Sequence, residues 1–390
     1  MPNKLLIKDA VLALPSGPMR CDLLCDGHRI VAIGRALEAD GAAQFNANGL
    51  TLGPGFVDIH VHGGGGYSFF SSDPREVTAY AAWAPRKGVT SLLVSTVGPN
   101  ADETTAMLAS LEPAIGVHSP AAEVLGFHLE GPFLNPARRG AFHPDMLREP
   151  VREEFLRYQE AARGHIRQVT FAPELPGALA LASAIVVSGA TAAIGHTDAT
   201  LQETNAGFEA GACHVTHLFN AMRPMHQREG GPIVAALLND DATCELVCDG
   251  AHVAPEVLRL AYRALGPNRT VVVTDNLHLA GTNTAMGHFG GLEVEAETGV
   301  AKRRDGTIAG SVETMDQHFR NAVRFLGIDL ATAFRLTSSN PARVAGAGKR
   351  KGLLERGYDA DLVLLDGNVE VVATVCRGDL VYLADEGRTA

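Results

Sequence analysis

Short apolar, β-branched runs recur through the middle of the chain, and stretches with helical apolar spacing separate them. Residues 56–61, 90–96, 124–130, 166–173, 192–197, 214–219, 243–248 and 270–274 read as buried strands. Between most of them lie helix-like stretches, including 74–87, 152–162, 179–189, 201–210 and 255–265. Eight strands each followed by a helix predict an α/β fold, a (β/α)8 TIM-like barrel with its active site at the C-terminal strand ends. A doubly wound open sheet is the alternative. The two chain ends carry a different pattern. Strand-like segments 4–7, 11–14, 21–25 and 29–33, with a hairpin turn at Asp26-Gly27, are matched near the C-terminus by 361–365, 369–376 and 380–383. Neither end is large enough to bury a core alone. The expectation is a small β-sandwich domain built from residues 1–53 together with 351–390, flanking a hydrolase barrel at 54–350.

Composition narrows the partners. The chain has 390 residues, 46% hydrophobic and 20% charged, as ordinary enzymes do. With 33 basic against 44 acidic residues the formal charge is −11, which argues against nucleic acid or an anionic membrane as a partner. An anionic substrate then needs a local basic pocket. The opening Met-Pro-Asn-Lys-Leu-Leu-Ile has no signal-peptide pattern, and no apolar run reaches about 18 residues. A cytoplasmic location is expected, with Cys21, Cys25, Cys213, Cys244, Cys248 and Cys376 as reduced core residues.

The chemistry collects where the strands end. The first run closes on His60-Val-His62, and alternate residues of a strand share a face, so both imidazoles can address one object. Gly63 to Gly66 follow, allowing a sharp turn and close approach of a ligand. Glu130 ends the third strand, His196 the fifth, His217 the sixth and Asp275 the eighth. Each alone has an ordinary reading as a satisfied core histidine or a helix cap. Together on one barrel mouth they fit a site for a divalent cation that activates water. Imidazole and carboxylate without thiolate suit Zn²⁺, or else Fe²⁺. Asp275, following four apolar or β-branched residues, is placed to pass a proton from the attacking water to a leaving amine.

These residues sit in motifs that resemble the amidohydrolase superfamily, and within it the branch that deacetylates amino-sugar 6-phosphates. The motifs begin with Pro54-Gly-Phe-Val-Asp-Ile-His60-Val-His62, His128-Leu-Glu130-Gly-Pro and Gly195-His196-Thr197-Asp198. His217-Leu-Phe-Asn220-Ala221-Met222 and Val273-Thr274-Asp275 follow in the same order. The resemblance implies removal of an N-acetyl group from a phosphorylated N-acetylamino sugar. Glu130, His196 and His217 correspond to primary metal ligands. His60 and His62 correspond to a second-ion pair sharing Glu130, so one or two ions per subunit are allowed. Ala141, Asn220 and Ala221 correspond to substrate contacts, the last two at the phosphate. His252 corresponds to a sugar-hydroxyl contact, and Ile308, Ala309 and Gly310 to a segment closing over the sugar. Arg228 corresponds to an arginine reaching the neighbouring subunit's phosphate site, which implies a homodimer.

Three departures stand out. Phe142 occupies a place where the family commonly has a carbonyl-polarising histidine, and His143 follows one residue on. Leu277 and His278 are bulky where small residues usually follow the aspartate, which leaves the galactosamine epimer open as substrate. Arg223 replaces an uncharged residue, either adding charge at the phosphate end or merely solvated. Two further readings stay in view. One is an amidohydrolase cutting a cyclic amide or N-acyl amino acid, disfavoured because no lysine stands at the strand ends. The other is a barrel that only senses sugar phosphates, disfavoured by the complete ligand set.

Overall fold

A computed structural model describes residues 4–116 and 120–384. Residues 1–3 and 385–390 of the two predicted terminal segments lie outside the described residues. The central strands are β1 (Phe56–Asp58), β2 (Val89–Thr96), β3 (Glu123–Glu130), β4 (Ile166–Phe171), β5 (Thr191–Ile194), β6 (His214–Val215), β7 (Thr243–Val247) and β8 (Thr270–Val273). They pair in sequence order, all parallel. Beyond the last regular pairs, Val61 bridges Asn276 in parallel, and Thr274 Oγ1 donates to Asp58 Oδ2 at 2.6 Å. These contacts join β8 back to β1, so the sheet is a barrel and not the doubly wound alternative.

A helix follows every strand: Pro74–Trp83, Ala101–Leu111, Arg152–Ala161, Ala178–Val187, Leu201–Glu209, Gly231–Leu238, Pro255–Arg269 and Met315–Leu326. Several starts are written locally. Thr200 and Glu203 form a reciprocal capping box, and Asp73 accepts from the Arg75 N–H just before Pro74. Among the described residues, no helix is long and apolar enough to cross a membrane.

The chain ends build a β domain. One sheet runs Asp379–Leu383, Val371–Cys376, Leu362–Leu365, Thr51–Pro54, Lys4–Leu12, Met19–Asp26, Arg29–Gly34, with Ala43–Asn46 beside Lys4–Leu12. The two short strands expected at 4–7 and 11–14 are one strand. The polar Lys8-Asp9 between them is an irregularity rather than a turn, because Asp22 accepts from both the Asp9 N–H (2.9 Å) and Lys8 Nζ (2.8 Å). Five cysteines are buried as expected, but Cys213 is exposed. It lies in the connection leading into β6, outside the strand interior.

An ion cluster fastens this domain to the barrel. Lys351 is 1% exposed, with Nζ at 2.9 Å from Glu123 at the start of β3, 3.2 Å from Asp359, and in contact with Asp361. Burial pushes the Glu123 carboxyl up, but Arg350 and Lys351 outweigh it and bring it from 4.5 to about 2. A carboxyl with a depressed folded-state pKa stabilises the fold above its unfolded pKa, and that stabilisation is lost as pH falls through the folded value. At about 1.4 kcal/mol per pH unit the contribution is about 3 kcal/mol at pH 7. Glu123→Gln is therefore expected to lose about 3 kcal/mol in urea unfolding at pH 7, and much less near pH 2. An equal loss at both pH values would contradict the assignment.

Candidate metal centre and active site

The residues predicted from the strand ends meet at the C-terminal mouth of the barrel. Glu130 is the last residue of β3, and His60, His62, His196, His217 and Asp275 lie just beyond β1, β5, β6 and β8. His196, His217 and Asp275 all adopt positive φ (49°, 27° and 53°), a conformation that costs non-glycine residues about 1–3 kcal/mol each and recurs at functional sites. Two glycines make room around them. A Cβ on Gly63 (φ 148°) would lie 2.1 Å from the Tyr67 carbonyl oxygen, and one on Gly310 (φ 153°) 2.7 Å from that of Asp275.

Glu130 stands between two groups of side chains. Its Oε1 is 3.0 Å from both His196 Nε2 and His217 Nε2, and its Oε2 is 3.0 Å from His62 Nε2. His60 Nε2 lies 3.4 Å from Glu130 Oε1, and Asp275 Oδ1 lies 3.4 Å from Nε2 of both His60 and His62. The candidate donor atoms of His60, His62 and Asp275 lie within 4.8 Å of one another, as do those of Glu130, His196 and His217. All six residues are buried.

The outer nitrogens fix what the inner ones present. A carbonyl oxygen only accepts, so His196 Nδ1–H donates to Arg138 O (2.8 Å) and His62 Nδ1–H to Ser95 O (3.0 Å). His60 Nδ1–H donates to the Glu245 carboxylate at 2.8 Å. A neutral ring so held turns a bare Nε2 lone pair inward. His196 Nε2 lies 3.0 Å from Nε2 of His217, whose Nδ1 has no hydrogen-bond partner, and the buried Nε2 atoms of His60 and His62 likewise have none despite nearby carboxylates. Imidazole nitrogens and carboxylate oxygens converging this closely fit a shared cation, and an all-nitrogen-and-oxygen set suits a divalent one.

The charges agree. Burial favours the neutral form of His60, but Glu130, Glu245 and Asp275 outweigh it and raise its affinity for a proton, as they would for a metal ion. Burial likewise opposes ionisation of Glu130 and Asp275, and the surrounding imidazoles, led by His60, hold both below the usual carboxylate range.

A cavity of about 460 Å³ opens onto this cluster. Glu130, His196, His217, His252 and Asp275 line it, as do Ala141, Asn220, Ala221, Ile308 and Ala309. Gly310 is not in the lining. His252 Nδ1–H donates to Asp249 at 2.6 Å, and its Nε2 lies 3.6 Å from Asp275 Oδ2. A larger cavity of about 730 Å³, beside Phe334, Arg343 and Leu354, contains none of these groups.

Other predicted positions fall elsewhere. Phe142 lines the cavity, whereas His143 Nδ1 accepts from the Asp145 N–H at 3.3 Å, away from the cluster. Arg228 is on an exposed loop outside this chain's own cavity. Leu277 is buried among Phe142 and Phe289 and His278 is half-buried; neither lines the cavity. Arg223 is engaged by Asp198 at 3.1 Å and Glu229 at 3.6 Å.

Two features escaped the sequence reading. A four-stranded sheet, Met286–Phe289, Leu292–Ala296, Val300–Lys302 and Ile308–Ser311, follows β8 and brings Phe289 into the cavity wall. Its signals were the Gly290-Gly291 turn and the alternation in Leu-Glu-Val-Glu-Ala. The other is Glu245, a fully buried carboxylate within the apolar β7, whose presence in such a run was itself a signal.

Comparison with known proteins gives this geometry a family. The amidohydrolase family profile matches residues 51–381. The N-acetylglucosamine-6-phosphate deacetylase of Bacillus subtilis is 34% identical over 85% of this chain and 85% of its own. An Escherichia coli N-acetylgalactosamine-6-phosphate deacetylase is 33% identical, over 84% of this chain and 87% of its own. A mutant of the Mycobacterium smegmatis N-acetyl-D-glucosamine-6-phosphate deacetylase, solved with N-acetyl-D-glucosamine-6-phosphate, superposes with a TM-score of 0.89. That structure is 36% identical and covers 97% of this chain and 99% of its own. With its barrel, its convergent donors and these relatives, the chain belongs to the amidohydrolase family, as a hydrolase of linear amides akin to the N-acetylglucosamine-6-phosphate deacetylases.

Proposed function

We propose that this protein converts N-acetyl-D-glucosamine 6-phosphate and water to D-glucosamine 6-phosphate and acetate. The observation that carries the reading is the convergence of Glu130, His196 and His217 with Asp275 on one cavity, in a chain whose relatives bear deacetylase names. A divalent cation, Zn²⁺ first and Fe²⁺ second, would be held by Glu130, His196 and His217, with a further ion at His60 and His62 sharing Glu130, and supplies Lewis acidity toward the carbonyl and water. Asp275 takes a proton from the attacking water and hands it to the amide nitrogen, so that the C–N bond breaks to a neutral amine. His252 holds a sugar hydroxyl, Ala141 adds to the substrate contacts, and Ile308, Ala309 and Gly310 close over the ring. Asn220 and Ala221 take the phosphate.

Arg228 of a second copy completes the phosphate site, which makes the working form a homodimer and supplies positive charge to a cavity whose lining, among the described residues, has no lysine or arginine. The barrel at 54–350 performs the chemistry in the cytoplasm, and the segments 1–53 and 351–390 form the supporting domain. The resemblance to the E. coli N-acetylgalactosamine-6-phosphate deacetylase favours that epimer as the second reading.

The test is acetate release from N-acetylglucosamine 6-phosphate, its galactosamine and mannosamine epimers, and the unphosphorylated sugars. The phosphorylated glucosamine derivative should lead. Arg228→Ala should raise KM by about 10- to 100-fold with little change in kcat, as for loss of a charged contact made equally in ground and transition states. Equal turnover with and without phosphate would overturn the role of Arg228, and a faster galactosamine epimer would install the second reading.

A further inference from the structure

We infer that Glu245 is the positioning residue that prepares His60 for the second cation, so that occupancy of the His60–His62 position depends on a carboxylate from β7. This rests on the two-ion reading above. Glu245 sits inside the barrel beneath the mouth, and four donors hold it. Its Oε2 accepts from His60 Nδ1–H at 2.8 Å and from the His217 N–H at 3.0 Å. Its Oε1 takes Gln168 Nε2–H at 2.9 Å and His214 Nε2 at 3.0 Å. Carboxylate and all four partners are buried from solvent, so the arrangement is rigid.

The ligands differ in what orients them. His62 and His196 are held by the backbone carbonyls of Ser95 and Arg138, which no substitution removes. His60 is held by a side chain. A carboxylate accepts only, so it fixes the Nδ1–H tautomer and leaves His60 Nε2 free, and that buried nitrogen has no hydrogen-bond partner of its own. A carboxylate behind an imidazole also makes the ring a stronger donor to a metal, and its negative charge offsets part of a second cation's. Glu245 touches the first group only through the backbone of His217. Its loss should therefore fall mainly on the second ion.

The test is metal binding by the full-length protein, stripped with chelator and titrated with Zn²⁺ or Co²⁺ in equilibrium dialysis. Unfolding midpoints are recorded alongside, and the Co²⁺ visible spectrum reports each site. Wild type should bind two ions. Glu245→Ala should keep the first within about threefold of its wild-type affinity and weaken the second by about 10- to 100-fold. Glu245→Gln, whose amide oxygen still accepts from His60, should partly rescue the second ion, weakening it by about tenfold or less and clearly below the alanine loss. Two ions bound to Glu245→Ala at wild-type affinity would overturn the inference and leave the two-ion reading standing. Loss of both ions in step with a fallen midpoint would also overturn it, by making Glu245 a general brace. If Glu245→Ala does not fold, Glu245→Gln decides: a weakened second ion beside an unchanged first supports the inference, and any other pattern sinks it. Wild type holding one ion at saturating metal would instead end the two-ion reading itself.

Discussion

Asp275→Asn is expected to lower kcat by about 100- to 10,000-fold while the protein still binds metal, the range usual for removing a positioned acid–base group. Asparagine keeps the shape and the backbone bonds at this position, where the Asp275 N–H donates to His60 O and its carbonyl accepts from the Ser311 N–H, each at 2.8 Å. It cannot take up a proton. Burial opposes ionisation of the wild-type carboxyl, and its neighbours, led by His60, hold it below the usual carboxylate range. With Oδ1 facing His60 and His62, Oδ2 facing His252, and the side chain lining the cavity, it lies between that cluster and the cavity. Because the lost interaction belongs to the transition state, kcat and kcat/KM should fall together. Turnover within about tenfold of wild type, with metal content confirmed, would remove Asp275 from the proton path.

Glu130→Gln should be the most damaging change to metal content. Among the described residues, Glu130 is the one carboxylate with an oxygen 3.0 Å from His62 and another 3.0 Å from His196 and His217, so its charge serves both groups. An amide keeps one oxygen and replaces the other with an NH₂ that repels a cation. Lewis acidity worth several kcal/mol corresponds to about 1,000-fold or more in rate. Chelator treatment of the wild type should produce a similar loss that Zn²⁺ or Fe²⁺ restores, whereas the variant should regain little at the same free metal. A variant with full metal content and ordinary rates would show that Glu130 is no ligand.

Much of this was legible in the sequence because a barrel writes its chemistry in a regular place. Eight apolar runs gave the strands, and polar residues closing those runs had to surface at one mouth. His60, His62, Glu130, His196 and His217, a candidate metal-ligating set, needed only strand order to be brought together. Other features depended on distant partners. Lys8 and Asp9 look like a turn until Asp22 supplies the bonds that let the strand continue. Nothing local to His143 says that its ring turns to Asp145, while Phe142 takes the cavity wall. Glu245 was visible as a charge in an apolar strand, but its meaning comes from residues on other strands, above all His60, 185 positions earlier in the chain. The sheet that carries Phe289 follows the last barrel strand, where the alternation of strand and helix had given no reason to expect it.

The most direct measurement is an anomalous-difference map from crystals of the metal-loaded protein, collected at the absorption edge of the bound ion. The account predicts a peak enclosed by Glu130, His196 and His217, with metal–nitrogen distances of about 2.0–2.1 Å, and Asp275 facing it. An active, metal-loaded crystal with no peak among those three side chains would contradict it.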